Sequence, residues 1–352
     1  MVIEPPTYFL HWRSRVYSII GLLILLVVIV ILAVTIGSVS IPFSMVIAIL
    51  LSKLPWVDMS PAWAGTLETI IFDIRLPRVV LAGLVGSALA TAGATYQGLF
   101  RNPLADPYLI GVAQGAALGA VIGFLLPPAW HSLGFGVIPL LAFCGAVVST
   151  AVVYNLARVG KTLSTTTLIL AGVAIGALLA SVVSYLVISS GEKIHGIMFW
   201  LMGSFSLSQW SEVIIALPYV ILGVTIILLY ARPLNLVQLD EEQAQQLGIN
   251  VERLKLILLV AATLITAAAV SFVGIIGFVG IIVPHAVRLI WGVDHRFLLP
   301  LSVLTGAVFL ILADMIARTV MAPTEIPIGV ITALCGAPFF LYLLKRRKRI
   351  IF

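Results

Sequence analysis

The side chains of this sequence able to do chemistry are few, and their spacing limits what they can do. Asp314 and Arg318 lie four residues apart, on one face of a helix, and are expected to form an ion pair. Arg75 and Arg78, in IRLPR, and Arg318, close to the EIP turn that holds Glu325, offer planar forks that fit carboxylates. Two readings of them stand side by side. They pair locally with Asp73, Glu68 or Asp314, or they form a docking surface for an acidic partner. In LSTTT, Ser164, Thr165, Thr166 and Thr167 supply hydroxyls that either cap a helix or ring a narrow exit. His285 and Arg288 follow Pro284 and read as an anchor at a membrane surface. No phosphate loop, HExxH or GxSxG is present, so an enzyme is not expected. Cys144 and Cys335 are lone residues in apolar runs, without disulfide or metal spacing, and read as small buried hydrophobes. No metal site and no cofactor held by this chain are expected.

One polar stretch stands apart: ARPLNLVQLDEEQAQQLGINVERLK, residues 231–255. It holds seven of the chain's 34 charges, between long runs that have almost none. Asp240 is expected to N-cap a short helix, with Gln243 completing a capping box. Gly248 ends that helix, and Ile249–Asn250 turn into a second start. The spacing predicts two small helices joined by a glycine along the membrane surface. Such a wet loop is either an ordinary connection or a contact for a soluble partner.

The elements that position these residues follow from composition. The chain has 352 residues, 61% hydrophobic and 10% charged, with mean hydropathy +1.19. A soluble domain carries roughly 25% charged residues, so this is an all-α polytopic membrane protein, a single domain over 1–352. The net charge of +6 lies at the ends of apolar runs and is no nucleic-acid signal. Ten spans are predicted, near 16–36, 76–97, 108–126, 137–157, 165–188, 211–230, 255–274, 278–291, 299–318 and 328–344. The first is read as a retained helix, too long for a signal segment. Small residues recur every four positions in three spans: Gly86, Ala90, Ala94, Gly98; Gly111, Gly115, Gly119, Gly123; and Gly172, Gly176, Ala180, Ser184. Such faces let helices approach closely in lipid. Gly274, Gly277, Gly280 and Pro284 are expected to interrupt the eighth span. With the N-terminus inside, fifteen of the 20 basic residues fall on the inner side, which predicts cytoplasmic termini and a cytoplasmic 231–255 loop. The long outer connection, 37–74, carries Trp56 and Trp63 at interfacial positions. SSGEKIHGIMFWLMGSFS reads as a short helix at the outer mouth.

Together these stretches resemble the FecCD-type permease family, type II ABC importer permeases for iron–siderophore complexes, haem and vitamin B12. The likeness lies in RLPRVVLAGLVGSALATAGATYQGLFRNPLADPYLIGVAQGAALGAV, LSTTTLILAGVAIG, WLMGSFS, QAQQLG, GFVGIIVPHAVRLIWGVDHRFLLP and LADMIAR…EIPIGVITALCGAPFF. It runs from about residue 70 to 344; residues 1–70 match in hydropathy alone. The resemblance implies ten helices and a homodimer with the pathway on its axis. It also implies two cytoplasmic ATPase subunits, which hold ATP and magnesium, and an extracytoplasmic binding protein that delivers the cargo. Its ATPase-coupling loop falls on 231–255, with Asp240, Glu241, Ala244, Leu247 and Gly248 in place. Its binding-protein contacts fall on Arg75, Arg78 and Arg318, and its cytoplasmic gate on Thr165 and Thr166. It places the chain in the cell (inner) membrane, among lipid, importing an iron chelate (siderophore or haem) or cobalamin. His195, Met198 and Met202 at the outer mouth suggest haem, but interfacial packing accounts for them. The alternative is an ion-gradient-driven secondary transporter, which would more often show unpaired acids mid-span.

Overall fold

The structure, a computed structural model, describes residues 12–37, 41–53, 63–127, 136–160 and 162–351. Trp56 and Lys161 lie outside them. In chain order, α1 (Trp12–Thr35) is followed by the short α2 (Phe43–Leu51) and α3 (Gly65–Thr69). A π-helical turn, Ile70–Arg75, runs without a break from α3 into α4 (Leu76–Leu99). A 3-10 turn at Pro107–Ile110 leads to α5 (Val112–Leu125) and then α6 (Val137–Ala157). A small antiparallel hairpin, β1 (Arg158–Val159) and β2 (Thr162–Leu163), pairs Arg158 with Leu163. Then come α7 (Thr165–Ile188), α8 (Ile194–Leu201), α9 (Trp210–Leu229), α10 (Ala231–Leu239) and α11 (Glu241–Gln246). The chain ends with α12 (Val251–Val273), α13 (Val279–Trp291), α14 (His295–Ala317) and α15 (Ile328–Ile351).

Among the described residues, seven helices are long and apolar enough to cross a bilayer, and α5, α13 and the 328–341 part of α15 are shorter apolar helices. They are the ten predicted spans, each starting within four residues of its expected position. The predicted mouth helix is α8. The connection at 37–74 is more structured than its composition suggested. It holds α2 and α3, and the π turn gives α4 an unbroken extension.

The bundle is arranged around α4. Of its best apolar window 89% is buried, against 17% for α1 and 22% for α7. Glycine makes this possible. A Cβ on Gly86 would overlap the Gly306 carbonyl of α14, and one on Gly306 would overlap the Gly86 carbonyl. A Cβ on Gly93 would strike the Gly280 carbonyl of α13. Gly115 and Gly145, each against the other's carbonyl, join α5 to α6 in the same way. Without a water-exclusion force between helices, close backbone approach is what holds them. The expected face on α7 is only half used. Gly172 abuts the Leu109 carbonyl, but a Cβ on Gly176 would meet only Gln114 at 3.8 Å, and Ser184 is exposed.

Three expectations need correcting. The eighth span is not interrupted at Gly280 and Pro284: the chain is irregular at Gly274–Phe278, and α13 then runs through Pro284 to Trp291. Proline frees the carbonyl four residues back, and here Gln97 Nε2 donates to that Gly280 carbonyl at 3.1 Å. The two small helices of the polar loop meet at Asp240, not at a glycine; Gly248 instead links α11 to the span α12. Cys144 and Cys335 are exposed on the protomer. In a membrane chain, apolar neighbours in sequence do not imply the interior, because the lipid face is apolar too.

Gly86→Val is expected to lower stability by about 3 kcal/mol or more, because backbone rather than a movable side chain is in the way. Gly21→Ala in α1, with nothing within 4 Å of its added Cβ, should be neutral or raise stability by up to about 1 kcal/mol. Thermal unfolding midpoints in detergent measure both.

Candidate functional site

Charged side chains gather at the two ends of the bundle. At one end, Arg75 Nη1 donates to the Val34 and Thr35 carbonyls at 2.7 and 2.8 Å, and Arg318 Nη2 to the Ala33 carbonyl. These carbonyls end α1, where a helix leaves its last carbonyls without an intrahelical partner and the helix dipole is negative. Two arginines therefore cap one helix. Arg78 donates through Nε and Nη2 to Asp314 at 2.8–3.1 Å, and through Nη1 and Nη2 to Glu325 at 2.7 and 3.1 Å. The Ser206 hydroxyl donates to Glu325 Oε2 at 2.8 Å. The expected Asp314–Arg318 pair is present but loose, at 3.6 Å; Arg78 is the closer partner of Asp314. Glu68 pairs with Lys53 instead. Arg75, Arg78 and Arg318 are 5%, 8% and 6% exposed, so all three guanidiniums work inside the chain. Burial acts to raise the Glu325 carboxyl, but the Arg78 hydrogen bonds and charge outweigh it and hold it below its ordinary value.

At the opposite end stand α10 and α11. The Asp240 carboxylate accepts from Glu242 N at 3.2 Å, the N-cap that the sequence indicates. Gly248, at φ +84, closes the helix with Gly248 N to the Gln245 carbonyl and Ile249 N to the Ala244 carbonyl. That is the paired Schellman pattern, which needs a left-handed residue here. Leu247 is 68% exposed, while Ala244 is buried beneath the helix. Leu247 and Gly248 thus lie open to a partner, Ala244 seats the helix, and Glu241 turns to Lys255 Nζ at 2.7 Å. Lys255 is 4% exposed, and sequence reasoning gave it no role.

Helix α10 is fastened separately. Arg101 Nη2 donates to the Val237 carbonyl at 2.8 Å. Asn235 donates to Asp294 at 2.7 Å, and its amide oxygen accepts from the His295 backbone N–H at 2.9 Å. Asp294 caps α14 and pairs with Arg296 at 2.7 Å and with Arg15 at 3.6 Å. Burial acts to raise the Asp294 carboxyl, but hydrogen bonds from Arg296 and Asn235 prevail and bring it to about 2.

Thr165 and Thr166 occupy the first turn of α7, where Ser164 Oγ accepts from Thr167 N at 3.3 Å. His195 and Met198 are exposed on α8, and Met202 borders an open cleft of about 550 Å³ with Ile275, Phe278 and Val330. Among the described residues no three His, Cys, Asp or Glu gather to hold a metal ion.

The model of the FecCD transport family matches residues 25–346. The cobalamin import system permease protein of Halobacterium salinarum is 46% identical over 325 residues, 90% of this chain and 86% of that protein. The hemin transport system permease protein of Yersinia pestis is 44% identical over 79% of this chain and 84% of its own length. A solved structure of a metal-chelate type ABC transporter in an inward-facing conformation superposes with a TM-score of 0.81 at 33% identity, over 94% of this chain and 99% of that one.

Removing one partner of a buried ion pair costs about 3–5 kcal/mol. Arg78→Met is expected to cost that much, and pairing it with Asp314→Leu should recover only part of the loss, since Glu325 and the buried Arg318 each still lose a partner, as read by thermal unfolding. The Asp294 carboxyl is lower in the folded chain than its ordinary 3.8, so its contribution is complete above about pH 4 and fades as pH falls toward about 2. The difference in unfolding midpoint between the native chain and Asp294→Asn should shrink over that window.

Proposed function

We propose, from the premise that this chain belongs to the FecCD transport family, that it is the membrane subunit of an importer driven by ATP hydrolysis on separate subunits. Two copies form the pathway. Two cytoplasmic ATPases grip the α10–α11 platform, and an extracytoplasmic binding protein delivers a metal chelate: a siderophore or other iron chelate, haem or cobalamin. Both termini then lie in the cytoplasm of a cell whose inner membrane holds the chain.

The observation that carries this reading is the platform itself. A helix stiffened by caps at both ends stands open at Leu247 and is bonded through Glu241 to the bundle, in a sequence that has no nucleotide-binding loop. A chain without a motor of its own has reason to present such a handle. The relatives named above support the class of cargo, cobalamin and haem being metal-centred macrocycles.

Thr165 and Thr166 form the inner constriction of the pathway in this proposal. At the outer end, Arg75, Arg78 and Arg318 lie beneath the docking face. Their guanidiniums are engaged within the chain, so an acidic partner meets Arg78 by displacing Glu325, whose side chain is 31% exposed. A ligand-driven change of state requires the partner to bind one state better than the other.

Uptake into proteoliposomes tests the reading. Cyanocobalamin, haemin and ferric siderophore are each offered through an extracytoplasmic binding protein that carries them. Uptake should require co-reconstituted ATPase subunits and ATP. Uptake by the chain alone, collapsing with an ion gradient, would mean a secondary transporter. Gly248→Pro cannot keep φ at +84, since proline fixes φ near −65°. It should lower transport by about tenfold or more while the bundle's unfolding midpoint stays near that of the native chain.

A further inference from the structure

Beneath α11 lies a group that the sequence motifs do not single out. Lys255 sits in the second turn of α12, 4% exposed. An ammonium has three N–H donors, and here each has an acceptor on a different element. Glu241 Oε2 on α11 is at 2.7 Å, Glu252 Oε1 in the first turn of α12 at 3.4 Å, and the Leu163 carbonyl on β2 at 3.4 Å. The Leu163 N–H in turn donates to Glu252 Oε2 at 2.9 Å. Both backbone groups of Leu163 are therefore held by this network. One residue later comes Ser164, the cap of α7, and then Thr165 and Thr166.

We propose that Lys255 is the positioning residue that carries movement of α11 to the start of α7. The inference rests on the reading of α10–α11 as the ATPase contact. A buried ammonium that loses its closest carboxylate, here Glu241 at 2.7 Å, keeps only the 3.4 Å contacts to Glu252 and the Leu163 carbonyl and is poorly compensated, at an energetic cost. α11 cannot move away from Lys255 without that penalty, so it draws α12's first turns and β2 with it. β2 ends at Leu163, next to the Ser164 cap of α7, so its displacement passes along the chain to α7. The fastening of α10 to α14 through Asn235 follows a different route and does not touch α7.

The test uses the full chain assembled with its ATPase subunits in nanodiscs, with Cys144 and Cys335 changed to serine and Thr166→Cys as reporter. The rate of Thr166→Cys labelling by an impermeant maleimide is compared between nucleotide-free and ATP–vanadate-trapped complexes. In this parent the rate should change by about fivefold or more, a modest coupling between distant sites. In Lys255→Met and in Glu252→Ala the change should fall to about twofold or less, with ATP hydrolysis staying within about twofold of the parent. Lys255→Arg, which keeps the charge, should retain most of the change. Three results overturn the proposal: no change in the parent, a full change in Lys255→Met and Glu252→Ala, or loss of hydrolysis in those variants, which would make Lys255 part of the docking surface. Failure of the parent chain to capture ATPase subunits at all is a different result; it overturns the proposed function and this inference with it.

Discussion

Inside a bilayer there is no water to complete the backbone's hydrogen bonds, so buried N–H and carbonyl groups need partners within the protein. Much of this structure follows from that constraint. The last carbonyls of α1 are completed by Arg75 and Arg318. The carbonyl freed by Pro284 is completed by Gln97, which also accepts from Arg288 at 3.0 Å. The irregular backbone between α12 and α13 is completed by Tyr108, whose hydroxyl donates to the Ile276 carbonyl at 3.0 Å and accepts from its N–H at 3.2 Å. Loops meet the same demand mutually: Ile328 N bonds the Gly203 carbonyl and Gly329 N the Met202 carbonyl. Departures from regular helix thus occur where a specific side chain or loop waits to receive them.

The same constraint sorts the charges. Those within the bundle's ends are used to hold helices together, as with Arg78 between Asp314 and Glu325. Others stay exposed at helix ends and in loops, Arg232 on α10 and Glu242 on α11 among them. The capped helix α11 forms a small stiff platform at one end, while the spans contribute shape, close glycine contacts and the cleft beside Met202. In the proposed function, such a chain receives its driving force from outside the membrane through that platform.

Much of this architecture is legible in the sequence, because hydropathy reports burial in lipid directly and needs no knowledge of partners. The ten spans, the mouth helix α8 and the Asp240 and Gly248 helix signals all rest on patterns within a few residues. The face of Gly86 on α4 was legible as a close-packing surface, though its partner Gly306 was not. What local pattern cannot reveal is pairing across the chain. Arg78 reaches Asp314 and Glu325, 236 and 247 residues away; pairing with Asp314 is one of the two readings the sequence leaves open, and only the fold decides between it and an outward docking role. Lys255 reads in the sequence as one charge of a wet loop, because nothing local shows that it is buried or that the distant Leu163 carbonyl reaches it. Cys144 and Cys335 were misplaced for a related reason: apolar sequence identifies the membrane-embedded length but not which side of a helix faces protein.

The account turns on where force enters the bundle. Electron cryomicroscopy of the assembled complex in nanodiscs measures this directly. It should show an ATPase subunit seated on α10 and α11, with Leu247 inside the contact and Lys255 still bonded to Glu241 beneath it. An ATPase seated elsewhere, leaving Leu247 open to solvent, would contradict the account.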